Sequence, residues 1–372
     1  MTTSSRPSVS FKTRATDRIT IAVGTTKGLF LLEEGAIAGP SFKGQSVLSV
    51  LGLEDRLLAG VTDPRFGPLV YTSFDNGGSW DEPTERKISF PKKARTSAAQ
   101  IWQLHAQKRA DGRTRVLAGV EPASLFFSDD LGGSFELVES LWKHPHREHW
   151  EPGGGGLCLH TVLTHPVAAE RIIVAVSAGG VYRSEDSGQS WTASNKGIMS
   201  RHSPRPDAEF GQCVHKIAID AAGPNVLWLQ AHWGIYRSED GGNSWEDVGA
   251  PGTGLGVPSD FGFPIVAHPV EIGTAFVFPL ESDLYRCSPG GAARVYRTSD
   301  GGKSWEALTN GLPMANAHLE VLRDGFDIGR EAPYPLVFGT RTGQVFASAD
   351  TGENWRLLAE HLPPVLCVRV LD

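Results

Sequence analysis

Short apolar runs alternate with glycine-rich polar stretches at a steady beat along this chain. Residues 172–176 are wholly aliphatic, residues 180–183 run Gly-Val-Tyr-Arg after a turn, and Trp191 opens another short run after a second turn. Runs of four to six β-branched and aromatic residues, bounded by Gly, Asp and Ser, predict strands joined by tight turns. A further apolar run stands upstream of each such trio, at residues 100–104, 158–162, 213–217, 261–265 and 316–321. Units of four strands, recurring roughly every fifty residues, predict an all-β fold of the propeller type.

The turn between the third and fourth strands is nearly the same each time. Residues 73–80, 128–135, 184–191, 238–245, 298–305 and 348–355 are six copies of S/T-x-D-x-G-x-S/N-W/F, with aspartates at 75, 130, 186, 240, 300 and 350. The Asp carboxylate can accept backbone N–H groups, the Gly supplies a backbone angle other residues avoid, and the aromatic residue starts the next strand. Six copies do not mean six blades. Residues 19–23 and 28–32 match the second and third strands of a further unit that lacks the motif. Its inner strand can come from residues 365–370. The expectation is therefore a seven-bladed β-propeller of four-stranded blades, its first blade split and closed by the C-terminal strand, which leaves no open sheet edge. It forms one domain, residues 19–372, behind a polar, basic tail at residues 1–18 that reads as disordered and lacks the apolar core of a secretory signal.

Composition narrows the partners. The net charge of −7 argues against nucleic acid, whose phosphates call for a basic surface. No run of 18 apolar residues is present, so no membrane span is expected. Four cysteines make no disulfide framework, and a cytoplasmic setting is expected. Neither a dinucleotide fingerprint nor a phosphate loop occurs, so no nucleotide cofactor is expected, and Gly-x-Ser-x-Gly and His-Glu-x-x-His are also absent.

Candidate chemistry follows from the two faces of such a ring. Inner strands begin, and second strands end, at one rim, here called the top, whereas every Asp-containing turn falls at the bottom. Aligning the inner strands puts Trp102, His160, His215, Phe263 and His318 at equivalent positions near the top, with Cys158 and Cys213 two residues before their histidines. Imidazoles His160, His215 and His318, from three blades, can hold Zn²⁺ or a similar divalent transition metal. They can equally act as general acids or bases, or bond to neighbouring blades and line the channel. The loops after the second strands bring Glu121, His232 and Trp233, Lys27, Arg341 and residues 281–282 to the same rim. Glu121 and His232 are the natural catalytic partners of the histidines. Trp102, Trp150 and Trp233 would form a stacking wall, with Lys27 and Arg341 as polar substrate contacts. Three long loops border this rim: residues 141–156, with His144, His146, His149 and a four-glycine run; residues 195–212, with Arg201, His202 and Arg205; and residues 282–294, a candidate lid.

The repeated turn resembles the Asp-box, or BNR repeat, of sialidases, sortilin-type receptors and many bacterial propellers. Residues 23–30, 150–161, 211–218, 232–237, 259–263 and 316–324 further resemble a bacterial WD40/YVTN/BNR-like family labelled glycosyl hydrolase or exo-α-sialidase. That resemblance covers the chain after residue 18 and implies the propeller fold. The Arg-Ile-Pro motif of the well-known sialidases does not occur, so sialic-acid chemistry is not expected. The reading that results is a hydrolase or lyase acting on a small polar or glycosidic molecule at the top of the channel. The rival is a non-catalytic propeller that binds a small ligand, a glycan or a protein.

Overall fold

The computed structural model describes residues 19–33, 35–83, 85–200 and 207–371. Seven antiparallel sheets follow one another around the ring, six of four strands and one of three. Blade 1 is split: Thr20–Thr25, Gly28–Glu33 and Ala36–Ser41 are its outer strands, and Val365–Leu371 is its inner strand. Ile21 pairs with Val370 and Val23 with Val368, so the last strand closes the ring as the pattern predicted. The closure is apolar, because Val365, Val368 and Val370 are buried with Ile21 and Val23 in one cluster. Blade 2, Ser46–Gly52, Leu57–Asp63 and Gly67–Ser73, keeps only an isolated bridge from Thr72 to Asp81 where a fourth strand would lie.

The repeated turns explain why the unit recurs. In the fifth blade the Ser238 hydroxyl donates to Asp240 Oδ1 at 2.8 Å and accepts from the Gly242 amide at 2.9 Å. Asp240 in turn accepts from the Ser244 amide and hydroxyl. The residue after each Asp and the Gly that follows are both left-handed, for example Asn76 (φ 54°) with Gly77 (φ 89°) and Leu131 (φ 57°) with Gly132 (φ 94°). Only glycine fits the second of these places: a Cβ on Gly302 would lie 2.6 Å from Cβ of Val248. Tryptophans tie some of these turns to the preceding blade, with Trp245 Nε1 donating to Ser194 O and Trp305 Nε1 to Val248 O, both at 2.8 Å.

The top ends of the inner strands share a second device. In six blades the pairing of the inner strand with its neighbour shifts by a residue, and the bulge falls at Leu366, Leu48, Trp102, His160, His215 and the Phe263–Pro264 step. A bulge re-aims a side chain at a strand end. The alignment of Trp102, His160, His215 and Phe263 therefore corresponds to a structural position, which Leu48 and Leu366 also occupy.

Blade 7 departs from this. Its inner strand is Phe326–Ile328, whereas the run at residues 316–321 is not a strand. The backbone there is claimed by neighbouring loops: Ala317 N donates to Gly291 O, Ser288 N to Leu319 O and Arg341 N to Glu320 O, at 2.8–2.9 Å. With its polar groups already paired, the segment has no need of a ladder. His318 thus stands on a loop, not on an inner strand.

Candidate functional site

Because residues 316–325 leave the strand path, their last part reaches into the channel. A cavity of about 240 Å³ opens there, lined by Thr26, Gln100, Trp102, Arg323, Asp324 and Leu366 among others. Asp324 forms a buried ion pair with Lys216 of blade 5. The Arg323 guanidinium lies 4.9 Å from the centre of the Trp102 ring, and its Nε donates to His215 O at 3.1 Å. One loop of blade 7 therefore grips blades 3 and 5 across the axis.

Glu121 ends the strand Thr114–Glu121 and pairs with Gln100, which lines this cavity. Trp102 Nε1 donates to its Oε2 at 3.4 Å, and burial pushes its carboxyl above the ordinary carboxylate range, a shift the Trp102 bond partly offsets. The glycine run packs on both. Gly153 and Gly156 pair in a tight turn, and a Cβ on Gly156 would lie 2.1 Å from Glu121 Oε1. A Cβ on Gly155 would lie 3.3 Å from Trp102, and one on Gly154 3.1 Å from Arg286. The run is thus a strap laid over the mouth, and its lack of side chains lets it lie against the carboxyl.

The histidines divide. His215 Nδ1 donates to Gly262 O of the next blade at 2.6 Å, and burial drives its pKa down to about 3. His160 is fully buried, its Nδ1 is 3.1 Å from Thr161 Oγ1, and burial holds its pKa well below the usual value. Both rings are neutral and serve as weak bases. His318 is exposed and bonds through Nδ1 to the Tyr285 hydroxyl at 2.9 Å. Among the described residues, His160, His215 and His318 do not share one ligating cluster. The group with donor atoms all within 4.8 Å of one another is instead Cys213, His215 and His232. His232 stacks on Trp233, with ring centres 4.2 Å apart, and its Nε2 is 3.5 Å from Asp283 Oδ2. The sequence offered a signal for this group, since Cys213 precedes His215 by two residues and His232 directly follows the adjoining strand.

Other expected site residues are placed differently. Trp150 is no part of an open wall: it is buried, with its Nε1 donating to the Tyr182 hydroxyl at 2.8 Å, because the apolar cluster of blade 4 takes up its ring. Lys27 is exposed on the two-residue turn between the first two strands. Arg341 faces Glu320 at 4.0 Å, and burial raises the Glu320 carboxyl above its usual range. His146 stacks on Phe210, with ring centres 4.1 Å apart, and bonds to Tyr182, so the histidine-dense loop is anchored by packing. Arg201, His202 and Arg205 lie outside the described residues.

No family model matches the chain. It is similar to a probable oligoxyloglucan-reducing end-specific xyloglucanase of Neosartorya fischeri, 31% identical over 202 residues, which are 51% of this chain and 22% of that protein. A xyloglucanase of a Paenibacillus species is 23% identical over 317 residues, 82% of this chain and 26% of that protein. The chain thus spans roughly a quarter of the length of these curated relatives. Among solved structures it resembles an ancestral GH74 enzyme, with a TM-score of 0.57 and 17% identity over 84% of this chain and 38% of that one. It also resembles YCF48 bound to a D1 peptide, with a TM-score of 0.51 and 14% identity over 84% and 82% of the two chains. These structural likenesses establish the propeller fold.

Proposed function

We propose that the protein is a hydrolase that cleaves a glycosidic bond of a glucan-type oligosaccharide at the top mouth of the channel. The observation that carries this reading is Glu121, a half-buried carboxyl with a raised pKa bonded to Trp102, whose ring lines a cavity. Glycoside hydrolysis uses one carboxyl as proton donor and a second as base or nucleophile. Glu121 fits the donor, since a raised pKa keeps the proton available nearer neutral pH. Asp324 is the carboxylate on the cavity wall beside Trp102, whose ring offers a sugar a stacking face. The curated relatives are xyloglucanases, which supports a β-glucan substrate class.

His160 and His215 support the site by holding the blades that shape it, and His318 bonds to Tyr285 on the loop of residues 282–294. Turnover of aryl β-glucosides and xyloglucan oligosaccharides by the wild type and by Glu121→Gln tests the reading. Loss of about 10²–10⁴-fold in kcat with an unchanged Tm is expected. Equal rates would reject it. The buried Lys216–Asp324 pair, which engages the carboxylate on the cavity wall, favours one second reading, a propeller that binds an oligosaccharide without cleaving it. In that case both proteins bind the ligand equally and neither turns it over.

A further inference from the structure

We propose that Cys213, His215 and His232 form a zinc site at the top of blade 5. A thiolate and two imidazoles are the ligand set that tetrahedral Zn²⁺ takes with one position left over. His215 stands on the inner strand, and Cys213 and His232 directly adjoin the ends of the two paired strands. Cys213 and His215 flank Val214, where the inner strand begins, and His215 is the bulge residue. The His232 amide donates to Cys213 O at 2.8 Å, which locks the end of the second strand against the same point.

The tautomer of His215 is set by its partner. A carbonyl only accepts, so Nδ1 carries the proton given to Gly262 O, and Nε2 keeps its lone pair. That nitrogen lies 3.7 Å from Cys213 Sγ. Tetrahedral zinc, with Zn–S near 2.3 Å and Zn–N near 2.1 Å, needs an S···N separation of about 3.6 Å. A ligating histidine whose other N–H is given to a backbone carbonyl is the usual outer-shell arrangement of zinc proteins.

Charge also bears on the site. Arg286 lies 5.2 Å from the centre of the Phe263 ring, and Arg323 is bonded to His215 O, so two cations stand near. The Cys213 thiolate and the Asp283 carboxylate, beside His232, together cancel a dication. On binding, the Cys213 S–H bond breaks, its proton passes to solvent, and the sulfur electron pair forms the bond to zinc, with no change of oxidation state. Asp283 or a solvent molecule completes the fourth position.

The site stands apart from the Glu121 reading, since none of its ligands is asked to transfer a proton to substrate. Tag-free protein is titrated with Zn²⁺ against a chromogenic chelator, and with Co²⁺ while its absorption is recorded. One equivalent of zinc per chain, a tetrahedral cobalt spectrum and a thiolate-to-cobalt charge-transfer band are expected. Cys213→Ser removes the band and weakens zinc at least tenfold, His232→Gln weakens zinc similarly, and Cys287→Ser changes neither. The cobalt spectrum of the wild type reads the thiolate even if Cys213→Ser does not fold. A wild type that retains no zinc at micromolar concentration, a cobalt complex without the thiolate band, or equal affinity in folded His232→Gln would overturn the proposal.

Discussion

His215 Nδ1 lies 2.6 Å from the carbonyl oxygen of Gly262, on the inner strand of the next blade. The bond crosses a blade boundary near the channel mouth, so a residue that reads as a candidate catalyst also holds two blades in register. Burial keeps the ring neutral, and it outweighs the bond to Gly262, which by itself favours the proton.

Stability should therefore fall in mild acid. The pKa of His215 drops from about 6.5 in the unfolded chain to about 3 in the fold, chiefly through burial. Between these values the unfolded chain binds the proton and the folded chain does not. The contribution is complete above pH 6.5 and is lost as pH falls toward 3, at up to about 1.4 kcal/mol per pH unit. Urea midpoints measured from pH 7.5 to 5 should decline, and His215→Gln should flatten the decline. Parallel curves for the two proteins would remove His215 from the explanation.

Ser238→Ala tests the repeated turn. The hydroxyl is buried, donates to Asp240 and accepts from Gly242, whose amide the alanine leaves unpaired. A cost of about 1–3 kcal/mol in denaturant unfolding is expected, with activity at the opposite rim unchanged. A rate loss without a stability loss would place function at the bottom face.

The blade count, the split first blade and the bottom turns were legible because they rest on local rules. Asp240 with Gly242, or Asp75 with Gly77, needs only its own eight residues to fold. The ring position of Trp102, His160, His215 and Phe263 was legible for a related reason, since each is the third residue of its apolar run. His318 broke the pattern because its segment is fixed by Gly291, Ser288 and Arg341 from other loops, which no periodicity reveals. Trp150 misled for the same reason: its burial depends on Tyr182, 32 residues away. Arg323 and Asp324 give no sign of lining a cavity in the sequence, because a charged pair in a loop reads as solvated until the channel is seen around it.

Closure by the last strand predicts a sharp truncation phenotype. Removing residues 364–372 leaves the edge of Thr20–Thr25 unpaired and strips Val365, Val368 and Val370 from the cluster of blades 1 and 7. The shortened chain should lose its cooperative thermal transition or melt far below the wild type. Protease should cut it first within residues 19–33. An unchanged Tm would mean that the ring holds without its seam.

The glycine strap gives the most discriminating test of the mouth. Gly156 has φ 99°, and a Cβ there would lie 2.1 Å from Glu121 Oε1, so Gly156→Ala must displace either the strap or the carboxyl. Gly112 has φ 79°, and nothing lies within 4 Å of where its Cβ would be. Gly112→Ala therefore carries the left-handed backbone penalty alone, about 1 kcal/mol. Any excess effect of Gly156→Ala reports on the strap and Glu121. Burial is what raises the Glu121 carboxyl, so pushing it toward solvent returns its pKa toward the usual range. For an acid that must be protonated, the alkaline limb of the kcat/KM profile should then move to lower pH in Gly156→Ala and stay in place in Gly112→Ala. If both variants keep the wild-type profile, Glu121 is not the group that sets it.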